Sequence, residues 1–150
     1  MHSYWDDFWG LTGLKDAAWL AGELGDAGET RRLAASTDEF RLDILASLAA
    51  ARDIHGIVFI PGAADLGDFD PTSTTVALSP AGEQARLPRD ALAATFERYW
   101  SEFAARRDGR RAWDAYTPYE WRNVGAFVRL GWRDRVESRE NGGRHHVCAG

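Results

Sequence analysis

The stretch IVFIPGAADLGDFDPTSTTVAL, residues 57–78, decides the fold, because it separates two long helical patterns and is itself too irregular for a core helix. Apolar residues lead into Pro61-Gly62, aspartates follow at positions 65, 68 and 70, and four hydroxyl side chains come after Pro71. Loops held by a rigid scaffold often carry binding and catalytic groups, although the same residue types also make ordinary turns. We therefore look for functional groups here first.

The second half of this stretch is compatible with two local structures. Residues 72–78 are rich in β-branched side chains, which are typical of a strand. Asp70 followed by Pro71 is a good N-cap and first helical residue, which favours a short helix ending before Pro80. The pattern alone leaves both alternatives open.

Upstream, apolar residues at helical spacing predict a helix from about Asp7 to Leu24. A second helix, opened by a capping box at Asp26, runs to about Ile54 and ends at Gly56, which suits a left-handed cap. The short connection around Gly25 predicts an antiparallel helical hairpin.

Downstream, a helix is predicted that begins at Leu87-Pro88 and ends before Asp108-Gly109. A second helix should begin at Thr117-Pro118, with Glu120 completing a capping box and Tyr116 and Trp121 forming a hydrophobic staple, and continue to about Val136. Residues 137–150 have no apolar periodicity and are expected to form an irregular or disordered tail.

Composition narrows the function classes. The 150 residues are 45% hydrophobic and 27% charged, as in one globular domain, and a net charge of -5 argues against nucleic acid as a partner. No signal peptide or membrane span is recognisable, so we expect a cytoplasmic protein without a membrane partner. Cys148 is the single cysteine, and with His145 and His146 it lies in the tail, so no metal or cofactor is predicted.

Four segments taken together resemble a known family: YWDDFWGLTGLKDAAWLAGELG, GAADLGDFDPTSTTVAL, FERYWSEF and AYTPYEWRNVGAFVRLG. They look like part of the (α/α)6-barrel catalytic domain of the six-hairpin glycosidase superfamily. The resemblance implies an all-α chain of antiparallel helical hairpins, about five helices over residues 1–136, forming part of a toroid. The inner helices would begin at Asp7, Pro71 and Pro118, which favours the helix alternative after Asp70.

The resemblance further implies a fragment of a glycoside hydrolase-like domain that binds or hydrolyses carbohydrate by paired carboxylates and is inactive alone, because too few hairpins are present to complete the barrel. Hydrolysis of a glycosidic bond requires two carboxyl groups. The expected catalytic residues are Asp68, which has no assigned structural task, and Glu120. The expected sugar-binding residues, near the N-terminal ends of inner helices, are Trp5, Asp6, Asp7, Trp9, Asp70 and Tyr119.

Each of these residues also has a structural interpretation. Asp6 and Asp7 suit a helix N-terminus, Asp70 an N-cap and Glu120 a capping box, while tryptophans commonly pack in a core. An alternative function is a non-catalytic helical interaction module, in which open apolar helix faces bind a protein partner or a second copy of the chain.

Overall fold

The computed structural model describes residues 1–114 and 117–136, and within these ranges it is helical with no strand. The all-α prediction is confirmed. The elements are α1 (Tyr4–Glu23), α2 (Ala27–His55), α3 (Pro71–Leu78), α4 (Arg89–Arg107), a 3-10 turn (Pro118–Trp121) and α5 (Arg122–Leu130). None of the helices in this part of the chain has the length and apolar character required to cross a membrane.

The α1–α2 hairpin forms as predicted, and its local signals act as expected. Gly25 has a positive φ of 77° in the connection, the Asp26 side chain accepts a hydrogen bond from the Glu29 backbone N–H at 2.9 Å, and Gly56 ends α2 with φ 62°. The helix α1 begins at Tyr4, before the predicted start, because the Tyr4 backbone N–H donates to the Gly62 carbonyl at 3.0 Å. A contact far along the sequence therefore sets this boundary.

The segment after Asp70 is a helix, as the resemblance implied. The Asp70 carboxylate accepts hydrogen bonds from the backbone N–H groups of Thr72 at 3.0 Å and Ser73 at 3.3 Å, which satisfies the open donors of the first turn. Almost every side chain of α3 is buried, including Val76 and Leu78. Burial on all sides explains why the sequence lacks a clear helical stripe here.

The central position of α3 organises the packing. It contacts α1 on one flank and α5 on another, α2 packs along α1, and α4 packs on α3 and α5. Phe8, Leu48, Val76, Phe96 and Phe127 all belong to the resulting core. The sequence α1, α3, α5 is the order that neighbouring inner helices would have in a partial toroid, and the toroid itself stays a prediction.

The last predicted helix is wrong in two respects. Gly131, with φ 78°, ends α5 at Leu130, so no single helix reaches Val136, although residues 133–136 form a helical turn of their own. The capping box is also wrong, since the Thr117 side chain makes no cap hydrogen bond and the buried Glu120 carboxylate accepts the Tyr99 hydroxyl at 2.7 Å. The expected staple residue Tyr116 and the tail at 137–150 lie outside the described residues.

Candidate functional site

Two adjoining cavities lie at the N-terminal ends of α1, α3 and the 3-10 turn, and we call them together the mouth groove. The outer cavity has a volume of about 400 Å³ and includes Trp5, Tyr119 and Asp70 in its wall. The inner cavity has a volume of about 260 Å³ and includes Asp70 and Glu120. Thr72 and Thr117 line both cavities, so hydroxyl groups connect the two.

Aromatic rings form the rim of the groove. Trp5 and Tyr119 meet edge to face with centroids 6.2 Å apart, and Trp9 touches Trp5 with centroids 6.4 Å apart. Tyr119 is 63% exposed. The rim therefore offers both a ring face and phenolic and indole donors to a ligand.

Arg122 fixes Trp5 against α3. Its guanidinium lies 5.2 Å from the Trp5 ring centroid, while Nε donates to Thr75 Oγ1 and Nη2 to the Ser79 carbonyl, each at 3.0 Å. A cation over an indole face is attracted by the ring electrons. Arg122 therefore joins α1, α3 and α5 beneath the aromatic rim.

Glu120 is the buried carboxylate of the inner cavity, with 9% of its surface exposed. The Tyr99 hydroxyl donates to Oε2 at 2.7 Å, and Arg106 Nη1 lies 4.0 Å from the same oxygen. Arg106 is itself buried, and its Nε makes no hydrogen bond within the described structure. This arrangement holds a negatively charged acceptor against a cavity rather than against solvent.

Asp70 combines a structural role with a place in both cavities. Besides capping α3 through Oδ1, it accepts the Ser73 hydroxyl on Oδ2 at 2.5 Å. The N-cap interpretation is confirmed. Because both oxygens are engaged, Asp70 faces the groove as a fixed acceptor.

Asp68, the other expected catalytic residue, holds the preceding loop together. Its Oδ1 accepts the Ala63 backbone N–H at 2.9 Å and its carbonyl accepts the Gly62 backbone N–H at 3.0 Å. A Cβ atom at Gly62 would lie 2.9 Å from Asp68 Oδ2 and 2.7 Å from Asp70 Cβ, so the loop passes where only glycine fits. Asp68 is exposed and lines neither cavity of the groove.

The acidic pair at the start of α1 is likewise outside the groove walls. Asp6 is exposed, and Asp7 is partly buried. Burial, and then the charge of Asp6, raises the pKa of Asp7 above its usual range. The groove thus gathers Trp5, Asp70, Tyr119 and Glu120, with Trp9 joining through Trp5.

Three further residues in and around the groove were not identified from the sequence: Tyr99 and Arg106 line the inner cavity, and Arg122 contacts the Trp5 ring. The contacts of Tyr99 and Arg106 with Glu120, and that of Arg122 with Trp5, join distant parts of the chain, so no local spacing could have indicated them.

The chemistry available in the groove is that of hydroxyls, carboxylates, aromatic rings and the Arg106 guanidinium. Among residues 1–114 and 117–136, no group of histidine, cysteine, aspartate and glutamate could hold a metal ion, and His145, His146 and Cys148 lie outside these ranges. Comparison of the chain with protein-family models, with curated proteins and with solved structures gives no match.

Proposed function

We propose that the mouth groove binds a carbohydrate, as part of a glycoside hydrolase-like domain, and that the chain alone does not complete the reaction. The observation that carries this proposal is the meeting of aromatic rings and two carboxylates from α1, the start of α3 and the 3-10 turn on one groove. We place the protein in the cytoplasm as part of this proposal, because a single cysteine cannot form a disulfide within the chain.

The side chains of the groove match the two surfaces of a sugar ring. The apolar face of a pyranose can lie on Trp5 or Tyr119, whose rings form the rim. Its hydroxyls can donate to the carboxylates of Asp70 and Glu120, which accept hydrogen bonds and donate none when ionised. Binding therefore requires no group other than those already in the groove.

The same geometry explains why we expect binding rather than turnover. Glycoside hydrolysis needs one carboxyl group to give a proton to the leaving oxygen and a second to activate water or attack the sugar. Asp70 is held as an acceptor by Thr72 and Ser73. Glu102, the third carboxylate of the inner cavity, pairs with Arg111 at 3.0 Å, so both Asp70 and Glu102 are poorly arranged to donate a proton. Glu120 fits the second role, with Tyr99 orienting it.

The test is to titrate the purified chain with a panel of neutral and acidic oligosaccharides and to measure binding by tryptophan fluorescence and by isothermal titration calorimetry. We expect Glu120→Gln to weaken the affinity about tenfold, which corresponds to about 1.4 kcal/mol, because a charged acceptor is lost. The matched control is Glu97→Gln, which changes an exposed glutamate paired with Arg135 and should leave binding unchanged.

The variant Asp68→Asn tests whether Asp68, rather than Glu120, is the carboxylate that binds the sugar. Loss of binding in Asp68→Asn with full binding in Glu120→Gln would move the site out of the groove. Absence of binding by the wild-type chain to every sugar in the panel would overturn the proposal for this chain.

A further inference from the structure

The helix α1 exposes an apolar surface with an acidic border, which we call the α1 face. Trp19 and Leu20 project from it, and Leu20 is 51% exposed. Gly13 lies about two turns before Leu20, and the exposed carboxylates of Asp16 and Glu23 lie along the face. Trp19 is 67% exposed.

The helix α5 exposes a second apolar surface, with a basic border, which we call the α5 face. Val128 is 60% exposed, and Gly125 lies one turn before it on the same side of the helix. Arg129 is exposed beside them, and Arg133 follows just beyond the helix. No acidic residue occurs between Arg122 and Leu130.

Each of these two faces contains a glycine that no contact among the described residues requires. A Cβ atom added at Gly13 or at Gly125 would meet no atom within 4 Å, whereas one added at Gly67 would lie 2.4 Å from the His55 ring. Glycine inside a helix is disfavoured relative to alanine. A flat helix surface does, however, allow another helix to approach closely.

We propose that the α5 face of one copy of the chain docks on the α1 face of a second copy. The charges are complementary, because Arg129 and Arg133 of one copy would meet Asp16 and Glu23 of the other. Two α1 faces would place carboxylates against carboxylates, and two α5 faces would place arginines against arginines. The contact is therefore head to tail, and a pair of copies keeps one unused α1 face on one copy and one unused α5 face on the other for further copies.

The test uses two variants that each block one face, studied by sedimentation velocity over a range of concentrations. Leu20→Arg places a cation in the α1 face, and Val128→Glu places an acid in the α5 face. Each variant alone should be monomeric, while an equimolar mixture should form one-to-one dimers and nothing larger, because only one productive contact remains. The wild-type chain should form larger species, which high salt dissociates.

Leu42→Arg is the matched control, since Leu42 is 66% exposed on α2, outside both faces, and this variant should assemble like the wild type. Circular dichroism melts verify that all variants keep the fold. A wild-type chain that stays monomeric at every concentration would overturn the proposal. So would self-association of either blocking variant, a mixture that remains monomeric, or assembly that ignores salt.

Discussion

Two buried glutamates, Glu83 and Glu120, differ in how fully cations surround them. Glu83 is 2% exposed and is enclosed by cations: Lys15 Nζ donates to Oε1 and Arg41 Nε to Oε2, each at 2.9 Å. Glu120 accepts a hydrogen bond from the Tyr99 hydroxyl, lies 4.0 Å from Arg106 Nη1 and faces a cavity. A buried glutamate thus forms ion pairs that join helices in one region of the molecule and lines a cavity in another.

The contrast shows how burial should be interpreted. Burial alone would raise the pKa of Glu83, but the hydrogen bonds from Lys15 and then Arg41 outweigh it and hold that pKa below its usual range. A carboxylate satisfied in this way ties α1 and α2 to the loop after α3 and has no capacity left for a ligand. Glu120, with a cavity beside it, is the better candidate for binding.

The largest expected effect is that of Glu83→Gln. Removing the charge leaves Lys15 and Arg41 facing a neutral amide in a buried position, so we expect a loss of about 3 kcal/mol in the free energy of unfolding at pH 7. Urea unfolding followed by circular dichroism measures it. A change no larger than that of an exposed glutamate variant such as Glu97→Gln would contradict the structural role.

The Glu83 effect should also depend on pH in a defined direction. Because the pKa of Glu83 is lowered in the folded state, its contribution is complete above the usual value of 4.5 and is lost as the pH falls through the lowered folded value. The difference between wild type and Glu83→Gln should therefore shrink in acid. A difference that stays constant down to the acid transition would contradict this assignment.

A smaller effect is expected on the groove side from Gly62→Ala. The new methyl group would lie 2.7 Å from Asp70 Cβ, so the loop must shift and carry the N-cap of α3 with it. We expect a loss of about 2 kcal/mol in unfolding free energy, together with weaker sugar binding. Gly13→Ala, where the methyl group meets open space, is the matched control and should not destabilise. Equal stability of the two variants would show that the loop adapts freely.

The smallest loss of stability is expected for Glu120→Gln. The amide oxygen can still accept the Tyr99 hydroxyl, and Arg106 also lies 4.0 Å from Glu102 Oε2, so we expect at most about 1 kcal/mol, well below the effect of Glu83→Gln, while sugar binding weakens about tenfold. Parallel urea titrations of the two variants test the comparison directly. A loss for Glu120→Gln as large as that for Glu83→Gln would make Glu120 a structural residue.

Local signals in the sequence predicted much of the fold. The cap at Asp26 and the left-handed Gly56 bound α2 through contacts with their chain neighbours, so both could be identified from spacing. The strand alternative for residues 72–78 stayed open because a helix buried on all sides has no amphipathic pattern. The position of a helix can thus be predicted where the residues that begin and end it contact their neighbours in the sequence.

The features that could not be predicted from the sequence depend on contacts between residues far apart in the chain. Glu120 has the spacing of a capping-box glutamate, but its carboxylate accepts a hydrogen bond from the Tyr99 hydroxyl of α4. Nothing in the sequence near position 120 indicates this contact. No local pattern in the sequence indicates the pairing of Lys15 and Arg41 with Glu83 either. Of the site, the aromatic rim, Asp70 and Glu120 were predicted through the family resemblance, which itself remains a prediction.

The pairing of the first residues with the central loop has a consequence for the order in which the protein forms during synthesis. Ser3 pairs with Ala63, and the Ala64 backbone N–H donates to the His2 carbonyl at 2.9 Å. These first residues leave the ribosome long before their partners exist. The start of α1, and with it the Trp5 side of the groove, must therefore wait for the whole of α2 and the loop behind it before it can be fixed in place.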